Sequence, residues 1–230
     1  MKRWEVLDRA TTPEGTPLTL SRSGADFLIR ANGRGLMGSD AHGSEEALAA
    51  LGCAHARALA APRVLVGGLG MGYTLRAALD LLPAGARVTV AELLPAVVAW
   101  SRGPLAGLAG APLDDPRVEV AIGDVAALLT GRPAGFDAVL LDVDNGPVAL
   151  AQEANAGLYG ERGARRAFEA LAPGGDLAVW SAGPDEGYLA RLRRAGFAAT
   201  AHTVPARPGP RAPLHTVFVG RRPAGLGAPA

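Results

Sequence analysis

The stretch that decides the fold is RVLVGGLGMG, residues 63–72. A short apolar run at 64–66 leads directly into glycines, and a helical pattern follows from Thr74 to Leu79. Glycines allow the backbone to turn tightly and allow a ligand to approach the main chain, while the helix behind them presents unpaired N–H groups. A strand, a glycine turn and a helix in this order predict a site for a nucleotide-like ligand.

The rest of the chain alternates between strand and helix patterns. Helices are predicted at 73–82, 95–102, 125–129, 162–171 and 186–195. Strands are predicted at 64–66, 87–91, 117–122, 136–141, 176–180, 198–204 and 214–219, the last two as a hairpin with a long connection. Such alternation predicts an α/β fold, Rossmann-like and doubly wound, with a mainly parallel seven-stranded sheet.

Three regions follow from this pattern. Residues 1–43 contain short apolar segments between Gly and Pro turns, which predict a small β-rich N-terminal module. Residues 44–220 form the α/β domain, whose first helix we expect to be capped by Ser44. Residues 221–230 are expected to be a flexible tail.

Composition excludes several classes of protein. The 230 residues carry a net charge of +1 without a basic run, which argues against a nucleic-acid partner. A single cysteine and four histidines without ligand spacing predict no metal site. The sequence shows no signal peptide and no apolar run of membrane-spanning length, so a cytoplasmic protein with no membrane partner is expected.

Glycines or carboxylates follow each of the first four predicted strands of the main sheet. Glu92 lies about 20 residues beyond the glycines, where an acidic group typically binds ribose hydroxyls. Gly123 and Asp124 follow the third strand, and Asp142 begins the segment DVDNGP after the fourth. Each carboxylate alone is as readily explained as a helix cap. Because all four strand ends meet at one edge of a parallel sheet, together they predict a nucleoside site.

The strings VLVGGLGMGYTLRAAL, VTVAELLPAVVAW, DPRVEVAIGDV, FDAVLLDVDNGP and LYGERGARRAFEALAPGGDLAVW resemble the spermidine synthase-like group of the class I methyltransferase superfamily. The resemblance covers about residues 36–180 and extends weakly to the β-rich start. It implies a donor of the S-adenosylmethionine type, intact or decarboxylated, a small amine acceptor, no metal, and a homodimer.

The resemblance also implies roles for single residues. Donor binding falls to Gly68, Gly70, Met71, Gly72, Glu92, Leu93, Gly123, Asp124 and Val125, with the adenine ring also touching Ile122. Asp142 matches the catalytic aspartate, whose carboxylate attracts a protonated amine and takes its proton. Asp144, Asn145, Tyr159 and Trp180 are candidates for acceptor binding, and the segment 148–161 is where the family has a gating loop.

Departures from the family leave the transferred group open. Met71 stands where the family usually has a donor-binding aspartate, and a thioether cannot pair with an ammonium group. His42-Gly43-Ser44-Glu45 replaces the usual Tyr-His-Glu. Aminopropyl transfer is slightly favoured by the resemblance, and methyl transfer to another small acceptor is the alternative. A non-catalytic nucleoside-binding protein is a third possibility, which the carboxylate of Asp142 argues against.

Overall fold

The computed structural model describes residues 3–143, 146–149 and 157–225, and these form two sheets. The N-terminal sheet is an antiparallel meander in the order β1-β2-β3-β4. Its strands are β1 (Glu5–Thr11), β2 (Pro17–Ser23), β3 (Asp26–Ala31) and β4 (Arg34–Gly38). The sequence analysis did not predict β4, although Asn32-Gly33 is a strong hairpin signal. Both turn residues have positive φ, 51° and 75°, as a two-residue hairpin turn requires.

The main sheet has seven strands in the order β10-β11-β9-β8-β5-β6-β7, so the predicted fold class is confirmed. Neighbouring pairs among β5 to β9 are parallel, and β11 runs antiparallel to both β9 and β10. The strands are β5 (Arg63–Gly67), β6 (Arg87–Glu92), β7 (Val118–Ile122), β8 (Phe136–Leu141), β9 (Leu171–Ser181), β10 (Ala198–Pro205) and β11 (Leu214–Arg221). The helices are α1 (Gly43–Gly52), α2 (Tyr73–Leu81), α3 (Pro95–Arg102), α4 (Val125–Leu129), α5 (Glu161–Ala170) and α6 (Glu186–Arg194).

Both faces of the main sheet are covered by helices. Val64 and Val66 of β5 point into a cluster that includes side chains of α1, α2 and α3, whereas Leu65 points into a cluster built with α4, α5 and α6. All three side chains are completely buried. This explains why β5 is continuously apolar rather than alternating, as is usual for a central parallel strand.

The N-terminal sheet shares the core of the main domain. Leu18, Leu20 and Ile29 are buried in the same cluster as Val64. The indole N–H of Trp100 in α3 donates a hydrogen bond of 2.7 Å to the carboxylate of Asp8 in β1. The module is therefore fixed against the α/β domain by both apolar packing and a polar contact.

Among the predicted boundaries that differ from the structure, two involve polar side-chain contacts. Helix α1 begins at Gly43, and Ser44 lies in its first turn with its hydroxyl bonded to other side chains, so the prediction of Ser44 as the cap is wrong. Strand β11 continues to Arg221, which the sequence analysis had assigned to the tail. The Arg221 guanidinium donates two hydrogen bonds of 2.8 Å to the buried carboxylate of Asp176.

The Asp176–Arg221 pair generates a prediction about stability. Replacing Arg221 with alanine leaves a completely buried carboxylate without its cation, and we expect a loss of about 2–3 kcal/mol in the free energy of unfolding, measured in urea. Arg207→Ala is the matched control, because its ion pair with Asp40 is exposed and 3.5 Å long. The control should change stability by less than about 0.5 kcal/mol. Equal effects of the two substitutions would contradict the stabilising role assigned to the Asp176–Arg221 pair.

Candidate active site

The glycine loop lies at the point where the strand order reverses. Strand β5 is flanked by β6 on one side and β8 on the other, so the loops after β5 and β8 separate in opposite directions. In open parallel sheets this crevice at the carboxyl ends is the usual ligand site. The main-chain N–H of Asp142, just beyond β8, donates a 2.8 Å hydrogen bond to the carbonyl of Gly67. The glycine loop and the predicted catalytic carboxylate are thus directly joined.

Gly68 and Gly70 are required by this close approach. Both have positive φ, 88° and 51°. A Cβ atom on Gly68 would collide with the main-chain carbonyl of Asp142, and one on Gly70 would lie 2.7 Å from the terminal methyl group of Met37 in β4. A side chain at position 68 would therefore displace the segment after β8, whereas one at position 70 would require only the flexible end of Met37 to move, and both would strain the loop.

Met71 differs from its expected position. Its side chain is 2% exposed and packs in the core beside α2, so it does not face the open crevice. The reason is the local geometry of the loop, because Gly72 caps α2 in the left-handed conformation and Met71 immediately precedes it. Met71 therefore contributes its main chain and its packing to the loop, and its thioether lies away from the crevice.

Glu92 anchors the glycine loop. Its two carboxylate oxygens accept main-chain hydrogen bonds from Leu69 at 3.0 Å and Leu94 at 2.9 Å. Burial raises the pKa of this carboxyl group, and the main-chain donors oppose that rise. The main chains of Leu93 and Gly70 also bond this carboxyl group, so Glu92 is held on several sides by the loops that it joins. The donor-binding role of Glu92 stays a prediction.

Two large aliphatic side chains are exposed beside Glu92. Leu93 follows β6 and is 47% exposed, and Ile122 ends β7 and is 53% exposed. The two strands are adjacent, with Glu92 paired to Ile122. An exposed apolar pair at the edge of a nucleotide-binding sheet is a suitable surface for a flat heteroaromatic ring.

Helix α4 begins at the same edge. Asp124 is exposed and caps the helix by accepting a 2.8 Å hydrogen bond from the main chain of Ala126. Gly123 precedes it with a φ of 145°. Val125 is buried and packs in the core rather than at the surface, so it can support a ring only from below. The remaining oxygen of Asp124 is available for an exocyclic amino group.

Asp142 is held by a residue that the sequence analysis missed. Thr74, in the first turn of α2, donates a 2.6 Å hydrogen bond to the Asp142 carboxylate. Burial, and to a smaller extent the negative charge of Glu45, raise the pKa of Asp142 to about 7 against the lowering effect of the Thr74 hydrogen bond. A carboxyl group with a pKa near neutrality is suited to exchange protons at physiological pH.

The end of the N-terminal module forms one wall of the crevice. The rings of His42 and Tyr73 stack with centroids 4.3 Å apart, and the Tyr73 hydroxyl donates to the carbonyl of Ser39 at 3.2 Å. Burial raises the pKa of Tyr73 to about 12, assisted by the charges of Glu45, Asp40 and Glu46. This wall is therefore acidic.

Trp180 lies at the end of β9, in the position predicted for an acceptor-lining residue. Its indole N–H donates a 3.0 Å hydrogen bond to the hydroxyl of Ser44. The ring of His215 in β11 contacts Trp180 edge-on and has its Nδ1 atom 2.9 Å from the same hydroxyl. Ser44 is completely buried and joins α1 to the two strands.

Tyr159 also differs from expectation. Its ring is completely buried, contacts Tyr188 edge-on and donates from its hydroxyl to the carbonyl of Val143 at 3.0 Å. It supports the residue after Asp142 and does not cover the crevice. Asp144, Asn145 and residues 150–156 of the predicted gating loop lie outside the described residues.

The residues missed by the sequence analysis share one feature. Thr74, Ser44 and Met37 act through contacts between elements far apart in the chain, such as the 68 residues between Thr74 and Asp142. Only Thr74 had a usable signal, since it lies in the first helical turn after the glycines. That turn faces the end of the strand at the switch point in a doubly wound sheet.

Among the described residues, no group of His, Cys, Asp or Glu is arranged to hold a metal, and no helix is long and apolar enough to cross a membrane. A surface cavity of about 410 Å³ is lined by Arg87, Val88 and Val118, among others, at the amino ends of β6 and β7. Another, of about 390 Å³, involves Arg3, Glu5 and Arg22 of the N-terminal sheet. Neither includes the residues of the crevice, which combines an apolar ring surface with acidic groups.

Comparisons with known proteins test the resemblance that the sequence predicts. No family profile matches the chain. Polyamine aminopropyltransferases of two Mycobacterium tuberculosis strains and of Mycobacterium bovis are 34% identical over 150 residues, which is 61% of this chain. The chain spans 28% of the length of these curated relatives.

Solved structures show the same fold. Spermidine synthase from Thermotoga maritima superposes with a TM-score of 0.76 at 17% identity, covering 95% of this chain and 73% of that one. A spermidine synthase in complex with the transition-state analogue AdoDATO gives 0.75, with the same identity and coverage. A probable spermidine synthase from Corynebacterium glutamicum gives 0.64 at 20% identity, covering 94% and 79%. The predicted resemblance to the spermidine synthase-like group of the class I methyltransferase superfamily is thereby confirmed.

Proposed function

We propose that this protein transfers an aminopropyl group from decarboxylated S-adenosylmethionine to a small amine. The observation that carries the proposal is the position of Asp142, a half-buried carboxyl group with a pKa of about 7 joined to the glycine loop at the switch point. The names of the curated relatives and of the structural neighbours support the choice of transferred group.

The donor fits the crevice through three features. Gly68 and Gly70 hold the loop in the positive-φ conformation that brings its main chain to the crevice. Glu92 fixes the glycine loop at the end of β6, where the ribose of the donor is expected to bind. Leu93 and Ile122 offer apolar surface for an adenine ring, and the free oxygen of Asp124 lies on the same edge.

In the proposed mechanism, Asp142 removes a proton from the ammonium group of the acceptor. The freed lone pair on nitrogen attacks the carbon bonded to the sulfonium. The C–N bond forms while the C–S bond breaks, and its electrons leave on sulfur as a neutral thioether. The product nitrogen carries the positive charge, and Asp142 returns its proton to water. A base whose pKa lies near the working pH is efficient in both proton transfers.

The acidic wall supports an amine as acceptor. The negative charges of Asp40, Glu45 and Glu46 all raise the pKa of Tyr73, and the charge of Glu45 also raises the pKa of Asp142. A negative potential concentrates cationic molecules at the crevice and repels anionic ones. Homodimer formation, implied by the resemblance, remains a prediction.

Methyl transfer from intact S-adenosylmethionine is the second candidate. It is favoured by Met71, which places no carboxylate where the family usually binds the ammonium of the donor's aminopropyl chain. The two candidates differ in the donor that binds more tightly, so a direct binding measurement separates them.

Calorimetric titration of the purified protein tests the donor. We expect decarboxylated S-adenosylmethionine to bind with a lower dissociation constant than the intact form, because the acidic wall repels the additional carboxylate of the latter. Methylthioadenosine should also bind, since it keeps the ring and the ribose. Preference for the intact donor would favour methyl transfer, and an absence of binding by all three below millimolar concentration would exclude the transferase function.

The Asp142→Asn variant tests the base. We expect turnover to fall by roughly 10²–10⁴-fold, the usual contribution of a positioned base, while donor affinity measured by calorimetry stays unchanged. In the wild-type protein, the turnover rate should rise with pH through about 7 as Asp142 ionises. Unchanged turnover in the variant would remove Asp142 from the mechanism.

The same variant has a predicted effect on stability. The pKa of Asp142 rises from 3.8 to about 7 on folding, so between these values the folded state binds a proton that the unfolded state has lost. Stability from this group therefore falls as the pH rises through that range. Asp142→Asn should gain stability relative to the wild type between pH 4 and pH 8, by at most about 4 kcal/mol. The free energy of unfolding of both proteins is measured in urea at pH 4 and at pH 8. A stability difference that is the same at the two pH values would contradict burial as the cause of the raised pKa.

A further inference from the structure

Glu45 is a second carboxylate at the crevice, and it is fixed in place. It lies in the first turn of α1, where the hydroxyl of Ser44 donates a 2.6 Å hydrogen bond to its Oε2 atom. Glu45 is only partly exposed, and Ser44 is completely buried. The hydrogen bond from a buried serine therefore limits the positions that the Glu45 carboxylate can take.

The hydrogen-bond inventory of Ser44 fixes the direction of each bond. A serine hydroxyl has one proton to donate and two lone pairs to accept. The indole N–H of Trp180 can only donate, and the Glu45 carboxylate can only accept. The single proton of Ser44 is therefore directed to Glu45, and the Nδ1 atom of His215 must be the donor at its 2.9 Å contact. Two strands thus position one serine, and that serine positions Glu45.

Charged and titratable groups face Glu45 from three other elements. These are Asp142 after β8, Tyr73 at the start of α2 and His215 in β11, whose titrations all respond to the charge of Glu45. Asp40 and the Glu46 side chain add negative charge on the same wall. Within the described residues, neither Glu45 nor Asp142 has a basic side chain in an ion pair.

The start of α1 is joined to α2 by the stacked rings of His42 and Tyr73. The neighbouring Thr74 bonds the Asp142 carboxylate, so Glu45 and Asp142 lie on adjoining elements of the crevice. Two partly buried carboxylates in this arrangement repel each other. A protonated amine that enters the space between them removes this repulsion and gains a charge-assisted hydrogen bond from each. We propose that Glu45 is a second carboxylate of the acceptor site, held by Ser44 so that it and Asp142 together bind one protonated amine. This inference rests on the proposed amine acceptor and assigns part of its recognition to α1.

The two carboxylates have different tasks. Glu45 already accepts a hydrogen bond from the Ser44 hydroxyl and holds the cation without taking its proton. Asp142 receives the proton from the ammonium, becomes neutral, and leaves the amine lone pair free to attack. Glu45 then retains its negative charge near the sulfonium and near the positive nitrogen of the product. Glu45 is accordingly a binding residue, and Ser44 is a positioning residue that acts through it.

A titration of Asp142 tests this placement without requiring turnover. In protein labelled with [13C]aspartate, the carboxyl signal that disappears in Asp142→Asn reports the midpoint of Asp142. We expect Glu45→Gln to lower that midpoint by roughly one pH unit, because a nearby like charge has been removed. Glu46→Gln is the matched control, since Glu46 is exposed and pairs with His42 at 2.8 Å, and it should leave the midpoint unchanged.

Steady-state kinetics with decarboxylated S-adenosylmethionine and 1,4-diaminobutane as the probe amine test the binding role. Glu45→Gln should raise the KM for the diamine about tenfold or more, with kcat reduced less and the affinity for methylthioadenosine unchanged. Glu45→Asp, which keeps the charge on a shorter side chain, should recover part of the loss. Ser44→Ala should act in the same direction as Glu45→Gln and more weakly, because the carboxylate remains but is no longer held.

An unchanged Asp142 midpoint in Glu45→Gln would overturn the proposal. A diamine KM that Glu45→Gln leaves at its wild-type value would overturn it as well. Failure of the proposed function gives a different result, namely no donor binding in the wild-type protein. In that event, the Asp142 midpoint of the wild-type protein, measured by NMR with added 1,4-diaminobutane, still tests whether Glu45 and Asp142 bind an amine together. A downward shift of the Asp142 midpoint that Glu45→Gln abolishes supports the site, and no shift overturns it.

Discussion

The main-chain hydrogen bond from Asp142 to Gly67 is the constraint on which the site depends. It joins the ends of β5 and β8 at the place where the sheet changes direction, and it requires Gly68 because any side chain there would strike the Asp142 carbonyl. Donor loop and base are therefore not independent features. A shift of one moves the other, and in the proposed reaction this would fix the distance between a bound sulfonium and the carboxylate that activates its attacker.

The surroundings of Asp142 illustrate a cost of function to stability. Burial and the charge of Glu45 both disfavour its ionised form, and Thr74 offsets only part of this effect. An asparagine would be accepted by the fold more readily than the aspartate. The unfavourable carboxylate is tolerated because the core beneath it, including Leu65 and Leu141, is completely buried and supplies ample stabilisation.

Sequence analysis predicted the site residues whose position follows from strand order. It did not predict the direction of side chains that depends on tertiary contacts. The glycine loop, Glu92 and Asp142 were found because strand ends in a parallel sheet meet at one edge. Met71 and Tyr159 were placed at the crevice by the family resemblance, yet both side chains turn into the core. Residue spacing locates a loop but does not determine which of its side chains face the ligand, because that depends on φ values such as those of Gly70 and Gly72.

The direction of Met71 also changes how its substitution is understood. With its side chain in the core, the loop position gains apolar packing and loses the ability to present a charge to the donor. The carboxylates near the crevice come instead from α1 and its preceding segment, Glu45 and Asp40 among them. Those elements continue directly from the N-terminal sheet, whose Met37 covers Gly70. In the proposed function, Glu45 would thus supply a negative charge that the glycine loop lacks, from a helix that follows directly on the N-terminal sheet.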